Sequence, residues 1–532
     1  MARHLLSFLG TFPYKETNYQ YGKDTHQSRY VLDALLHTAC KGWGQGDKVT
    51  VFVTQQAREK NWEDHTIKKP ETEETEFQEG LKSVLEKMYS EIKPEDKPDI
   101  KAADIPDGNT ESEIWELFAK MNDEIEEGDE LYIDITNSFR EIPLLMTATA
   151  IFARSVKQAK VQAIYYGAFV PGSTDDTQII NLVKFVDIID WSVATQLFVK
   201  HGNVDMIGTL YESVGSSEDS KSSNLADMLS YLQEMVQGLD NSQGNITRKE
   251  PKKKGGNQKN TVLDSYKNYE ERYLTYCDSK VQEGYDSDSA IREVTKVIYE
   301  DIKRFAPIDD MTETEKRYSS LVFGMQAVKW YIQKGKVQTG FTAIDETMKT
   351  YICNRYHLDE TSYSNREEGS RFCQLLSKLD EKDSEEKKRE KRRGAIDRWK
   401  AENPHPCLMK RSKEQTKRLK EYFKEHPEEK KNYKLLFKNG NPEAISNGIS
   451  TEFVKLKLKV SNSRNSMNHF GFTRQKMKDD SDSMSDLKKY FNELKEILLT
   501  ELKTEFRPEI LEDLKEKWSL DEEDVNKEAD NA

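Results

Sequence analysis

The strongest constraint on this chain is a change of hydrophobic period near residue 190. Upstream, short apolar or β-branched runs alternate with segments of helical spacing. Downstream, the spacing stays helical. His4–Leu9, Lys48–Thr54, Leu131–Ile135, Val161–Tyr166 and Gln178–Val186 predict strands. Arg29–Lys41, Glu73–Ile92, Glu111–Ile125 and Ile142–Ala159 predict the helices between them. Strands separated by helices connect by crossovers, which favours parallel pairing. The expected fold is a Rossmann-like α/β domain with a mainly parallel sheet over residues 1–190, followed by an all-α region. Ligands of such sheets bind beyond the carboxyl ends of the strands, near the point where strand order reverses.

Within the helical part, residues 191–310 read as a helical connector. It contains a loop near 241–260, where Gly, Pro and a lysine run cluster. Residues 311–507 read as a second helical domain. It opens with a hairpin, Thr312–Lys334 and Lys336–Tyr356 around Gly335, and closes with an amphipathic helix at Asp486–Phe506. A charged insertion occupies about 360–440, and residues 508–532 read as a frayed acidic tail.

Composition narrows the setting. The 532 residues include 24 Tyr, 21 Phe and 7 Trp, enough for sizeable cores, so wholesale disorder is excluded. Five dispersed cysteines, with no C-x-x-C and no zinc-spaced Cys/His cluster, suit a reducing compartment rather than a disulfide scaffold. The first ten residues are apolar for too short a run to be a secretory signal, and no run of about 18 apolar residues exists to span a membrane. A cytoplasmic protein without membrane contact is expected. The net charge of −14 argues against a surface broadly coated for nucleic acid. That charge is uneven, however: Glu381–Lys424 holds 16 Lys/Arg against nine Asp/Glu, with Trp399, Tyr422 and Phe423 interleaved. This segment is either an RNA-facing surface with stacking groups or, slightly favoured, a solvated helical insertion.

Three constellations carry candidate chemistry. Asp134-Ile135-Thr136-Asn137-Ser138-Phe139-Arg140 follows a predicted strand and precedes a helix. Small polar groups there suit phosphate or ribose, because free N–H groups and the helix dipole favour an anion. Helix capping by Asn137 or Ser138 explains the same residues, and both readings stay open. Gly10-Thr11 after the first strand, Thr54-Gln55 after the second and Tyr166-Gly167-Ala168 after a later one would share that rim. None matches G-x-G-x-x-G, so NAD and FAD are disfavoured. Gly42-Trp43-Gly44-Gln45-Gly46 precedes a strand rather than following one, and reads as a turn.

The third constellation is Arg464-Asn465-Ser466-Met467-Asn468-His469, an R-x-x-x-x-H. Cleavage of RNA by its own 2′-hydroxyl needs a base, an acid and a cation for the phosphorane. His and Arg supply all three without a metal. Two residue types at one spacing are a weak signal alone. Five residues also advance about 140° around a helix, so the pair does not stack on one face. A composite site across a two-fold axis would complete it.

Asp134-Ile135-Thr136-Asn137-Ser138-Phe139-Arg140 with Pro143-Leu144 resembles the D-x-T-H-G-x-R-x-x-P-L signature of CARF domains in type III CRISPR accessory proteins. It departs at Asn137-Ser138, where the family often has His-Gly. Met325–Gly335 and Val337–Thr342 are similar to the first helices of the linked HEPN domain, whose R-x-x-x-x-H usually has a polar residue after Arg, as at Asn465. The resemblance, in the family's order along most of the chain, implies a CARF–HEPN ribonuclease of the Csx/Csm accessory type. It implies a cyclic oligoadenylate as allosteric activator, single-stranded RNA as substrate, no metal or other cofactor, and a homodimer or higher even oligomer. Carried onto this chain, Arg464 and His469 are the catalytic pair and Asn465 a helper. Gly10, Thr11, Thr54, Gln55, Thr136, Asn137 and Arg140 are the ligand candidates, with Asp134 orienting the loop. The alternatives are a non-catalytic nucleotide-sensing regulator or scaffold, and a sensor that degrades its own ligand.

Overall fold

The structure, a computed structural model, describes residues 2–68, 75–137, 142–169, 176–214, 220–241, 261–278, 287–355, 359–361, 363, 366–367, 449–468 and 483–520. It comprises two compact units, Met1–Ile189 and Asp190–Ala532.

The first unit holds ten described strands: β1 (Arg3–Leu9), β2 (Thr17–Tyr21), β3 (Asp24–Ser28), β4 (Lys48–Val53), β5 (His65–Lys68), β6 (Thr75–Gln78), β7 (Asp99–Asp104), β8 (Glu130–Asp134), β9 (Lys160–Gly167) and β10 (Thr177–Asn181). Between them lie α1 (Val31–His37), the single turn α2 (Gln55–Ala57), α3 (Leu81–Met88), α4 (Glu111–Glu124) and α5 (Ile142–Val156). Eight strands form one sheet in the order β3-β2-β10-β9-β8-β1-β4-β7. Its five strands from β9 to β7 are parallel. Strand β10 runs antiparallel to β9, and the β2–β3 hairpin extends that edge. The sheet is therefore mainly parallel, with a mixed edge.

Strand β1 explains why the sheet is buried on both faces. Leu5 and Leu9 join a core with α1 and α3, whereas Leu6 and Phe8 join a second core with α4 and α5. Period-two alternation thus feeds two helical layers, as parallel sheets require. From β1 the chain proceeds to β4 and β7 on one side, and it returns as β8 and β9 on the other. The switch point therefore lies between β1 and β8.

Several local expectations change. Glu73–Ile92 is not one helix: Thr75–Gln78 pairs with His65–Lys68, and the helix starts only after Gly80. A Cβ at Gly80 would lie 2.4 Å from the Trp62 carbonyl oxygen, so only glycine fits at the start of α3. Gln178–Val186 is a strand only to Asn181. The Asn181 Oδ1 accepts from the Val183 backbone N–H at 3.0 Å and starts a helix instead.

The second unit is helical: α6 (Val183–His201, begun in the first unit), α7 (Asp205–Val214), α8 (Ser220–Asp240), α9 (Val262–Asp278), α10 (Ser287–Ile302), α11 (Glu313–Lys316), α12 (Ser319–Gln333), α13 (Val337–Arg355), α14 (Thr451–Asn468), α15 (Ser483–Glu501) and α16 (Pro508–Lys517). One core gathers Phe198, Leu232, Tyr266 and Ile298 from α6 to α10. A second gathers Phe341, Phe453, Phe491 and Trp518 from α13 to the end of α16. Helix α12 serves both, giving Trp330 to the first and Met325 to the second. Gly335, at φ +71°, turns the chain into α13, a conformation that glycine adopts without steric cost. A Cβ at Gly324 would stand 2.4 Å from Thr347 Oγ1, so glycine allows α12 and α13 to cross closely.

Residues 508–520 are not frayed: α16 packs Leu514 and Trp518 into the core at 0% exposure. The acids face out while the apolar positions turn in. The loop at 242–260, the segment 381–424 and most of the 360–440 insertion lie outside the described residues. Among the described residues no helix is long and apolar enough to cross a membrane.

Candidate functional site

The rim at the switch point is built from neutral hydrogen bonds. Parallel register sets the carboxyl ends of β1 and β4 side by side, Leu9 opposite Val53, so Gly10 and Thr54 follow at neighbouring positions. The loop after β1 is shaped by two side chains. The Gly10 N–H donates to the Tyr14 hydroxyl at 2.6 Å, and the buried Asn61 donates to the carbonyls of Gly10 and Phe12 at 2.9 and 3.0 Å. A Cβ at Gly10 would come within 3.1 Å of the Asn137 carbonyl oxygen. The loops after β1 and β8 therefore come close there, and a larger residue at position 10 would push the Asn137 carbonyl aside.

Asp134 is fully buried at the end of β8. Its carboxylate accepts from Ser7 Oγ at 2.7 Å and from the Thr136 backbone N–H at 3.0 Å. Burial pushes the Asp134 carboxyl above its ordinary range, and the bonds from Thr136 and Ser7 only partly oppose that. Thr136 Oγ1 in turn accepts from the Gly167 N–H at 2.8 Å, tying the ends of β8 and β9 together.

The structure thus brings Gly10, Thr136 and Asn137 into one rim. Thr11, Thr136 and Asn137 are partly exposed on it, and Gln55 is exposed. Thr54 is buried, and its hydroxyl caps α2 by accepting from the Ala57 N–H at 3.2 Å. Arg140 lies outside the described residues.

The second site is built from charge. Asp345 on α13 is 1% exposed and receives three donors from α14. Lys457 Nζ stands at 2.5 Å, Ser461 Oγ at 2.7 Å and a terminal nitrogen of Arg464 at 2.7 Å. Residues 457, 461 and 464 are spaced four and three apart, so they share one face of α14. Burial alone would raise the Asp345 carboxyl. Lys457, Ser461 and Arg464 outweigh it and hold the group below the usual carboxylate range. Lys457 and Arg464 both bond to this carboxylate, Lys349 Nζ stands 3.7 Å from it, and Glu346 stands 3.8 Å from Arg464, whose side chain keeps 24% exposure. The other terminal nitrogen of Arg464 donates to Asn465 Oδ1 at 3.1 Å. Glu346, Lys349 and Arg366 extend the network, Lys349 reaching Glu346 at 2.8 Å and Arg366 at 2.7 Å. His469 lies outside the described residues.

Sequence reasoning missed Asp345, Lys457, Ser461 and Asn61. A signal did exist for the first two. Lys457 sits between the buried Phe453 and Val460 on α14, and Asp345 sits between the buried Phe341 and Met348 on α13. A charge inside an apolar stripe demands a buried partner.

Residues 4–171 match the CARF domain model of the CRISPR system endoribonuclease Csx1. Over these residues the N-terminal unit is similar to a CARF domain. The CRISPR-associated protein MJ1674 of Methanocaldococcus jannaschii is 26% identical over 291 residues, which is 54% of this chain and 39% of that protein. The match thus spans about two fifths of that relative. The Enterococcus italicus Csm6 structure, bound to cyclic hexa-2′-fluoro-hexa-dAMP, aligns over 97% of this chain and 98% of that one. Its sequence identity is 11% and the TM-score 0.39, a likeness that adds nothing to the CARF assignment.

Proposed function

We propose that this chain is a type III CRISPR defence endoribonuclease. A cyclic oligoadenylate held at the CARF rim activates a HEPN-type helical domain that cleaves single-stranded RNA without a metal. The observation that carries the reading is Arg464, clamped to a buried carboxylate that it shares with Lys457, yet still cationic and partly exposed. It stands five positions before His469.

In the proposed reaction a base removes the proton of the 2′-hydroxyl, and the freed oxygen attacks the adjacent phosphorus. The P–O5′ bond breaks, and an acid protonates the departing 5′-oxygen. The products are a 2′,3′-cyclic phosphate and a 5′-hydroxyl. His469 acts as the base or the acid, and Arg464 steadies the charge on the phosphorane. Asn465 orients the guanidinium through its hydrogen bond rather than reacting. Two copies of the chain supply two such sets to one site. At the CARF rim Gly10, Thr11, Thr54, Gln55, Thr136, Asn137 and Arg140 hold the ligand ring, with Thr54 acting through the turn it caps. The ligand's unequal affinity for two arrangements shifts the helical pair toward the active one.

The test is RNA cleavage with each ring size of cyclic oligoadenylate, in chelator, for wild type, His469→Ala and Arg464→Ala. Cleavage by wild type alone, leaving cyclic phosphate ends, is the expected result. An inert wild type, or equal cutting by His469→Ala, overturns the nuclease reading and leaves a sensing regulator. Arg140→Glu should abolish ligand binding, and unchanged affinity would move the ligand site elsewhere.

A further inference from the structure

A second arginine stands one carboxylate away from Arg464. Arg366 grips Glu346 of α13 with two nitrogens, Nε at 3.2 Å and a terminal nitrogen at 2.7 Å, both on Oε2. The same terminal nitrogen donates to the Glu346 backbone carbonyl at 2.8 Å. The other donates to Thr350 Oγ1 at 2.9 Å and to the Glu360 carbonyl at 3.2 Å. Every nitrogen of Arg366 is thus occupied, and its side chain is only 14% exposed. Glu346 Oε1 takes Lys349 at 2.8 Å. It also stands 3.8 Å from the terminal nitrogen of Arg464 that bonds Asp345.

We propose that Arg366 is a positioning residue for Arg464: by occupying Glu346, it keeps that carboxylate from capturing the Arg464 guanidinium. The inference rests on the proposed role of Arg464 in RNA cleavage. Burial alone would raise the Glu346 carboxyl, but Lys349 and Arg366 outweigh it and hold the group below the usual carboxylate range. Glu346 is therefore anionic near neutral pH. Lys349 does not serve it alone, because its Nζ also lies 3.1 Å from Glu367 and 3.7 Å from Asp345. Without Arg366, Arg464 is the next cation within reach of Glu346 among the described residues. The Arg464 Nε is buried without a partner, so turning toward Glu346 would gain the guanidinium a bond. An arginine paired with a second carboxylate offers a weaker field to a phosphorane, and that loss falls on the transition state.

Two other accounts make different claims. If Arg366 only anchors the residues around it to α13, its loss acts through stability. If Arg366 itself contacts an RNA phosphate, its loss removes a cation that no change at Glu346 restores. Neither expects neutralising Glu346 to return what removing Arg366 takes away. Capture of Arg464 does, because an amide in place of the carboxylate has no charge with which to hold a guanidinium.

The test compares full-length wild type, Arg366→Met and the double variant Arg366→Met/Glu346→Gln at saturating cyclic oligoadenylate. Arg366→Met should lower kcat for single-stranded RNA by about tenfold or more, with a smaller change in KM. That is short of the roughly 100–1,000-fold lost when a transition-state donor is removed outright. The double variant should recover most of the loss. A second readout needs no cleavage: phenylglyoxal modification of Arg464, followed by peptide mass. Its rate should fall in Arg366→Met and return in the double variant. The inference fails if the double variant cuts no better than Arg366→Met, or if Arg464 is modified equally in all three proteins. A kcat that simply follows melting temperature across the three makes Arg366 an anchor and also overturns it. A wild type that cuts no RNA, with Arg464 modification changing as expected, overturns the nuclease reading and leaves the restraint of Glu346 by Arg366 standing.

Discussion

Asp134 and Asp345 are both buried carboxylates, and they meet the cost of burial in opposite ways. Asp134 has only neutral donors, Ser7 and the Thr136 backbone, and burial raises its pKa. Asp345 has two cations and a hydroxyl, which hold its pKa down. The first arrangement shapes a loop without placing charge on it. The second fixes a guanidinium at a partly exposed position. Under the proposed function, a rim that receives a polyanion and a site that steadies a phosphorane place different demands on a carboxylate, and the two aspartates differ in that direction.

Removing one member of each arrangement tests this contrast. Asp345→Ala should have the largest effect. It strands the buried Lys457, and breaking a buried pair on one side costs about 3–5 kcal/mol. Denaturant unfolding followed by helical signal would read it, and Lys457→Met in the same background should recover part of the loss. If Asp345→Ala costs no more than Asp134→Ala, charge is not what separates the two sites. Asn61→Ala should cost about 1–3 kcal/mol, because the Gly10 and Phe12 carbonyls lose their donor. If the proposed function holds, weaker cyclic oligoadenylate binding should accompany it, with RNA cleavage unaltered once ligand saturates.

Ser7→Ala should cost about 1–3 kcal/mol, because it leaves a buried Asp134 oxygen without its donor. A loss as large as that of Asp345→Ala would show that Asp134 depends on Ser7 far more than its geometry implies. The smallest effects should appear in pH profiles of thermal stability. Both groups start from an ordinary value of 3.8. The lowered Asp345 adds stability that is present above that value and lost as pH falls through its depressed pKa. The raised Asp134 favours folding most below 3.8, and that share is lost as pH rises through its elevated pKa. Asp345→Asn should therefore flatten the acid limb, and Asp134→Asn should flatten the opposite one. Matching profiles for the two variants would remove the contrast.

The central parallel strands were legible because apolar and β-branched runs such as Leu5-Leu6 and Val49–Val53 stand out in a chain this polar. Strand β7, Asp99–Asp104, was not, because an edge strand whose few apolar residues are only partly buried carries little apolar signal. The hairpin β2–β3 hid for the same reason, its residues being almost all polar. At the rim, Gly10, Thr136 and Asn137 could be named from their place after strands, whereas Asn61 could not, since its partners lie 51 and 49 residues away. At the helical site Arg464 was legible by motif. Its anchor Asp345 lies 119 residues upstream, a distance no spacing rule reaches.

The position of β2 in the sheet has a consequence for synthesis. Asn18 and Gln20 bond to Asp176 and Gln178, partners 158 residues later in the chain. At about 5–20 residues per second, a ribosome delivers that strand about 8–30 s after β2 emerges. For that interval the hairpin has no neighbouring strand to hold it. The His26–Asp33 contact spans only seven residues, so a nascent chain can close it early and keep the hairpin parked until its late partner arrives.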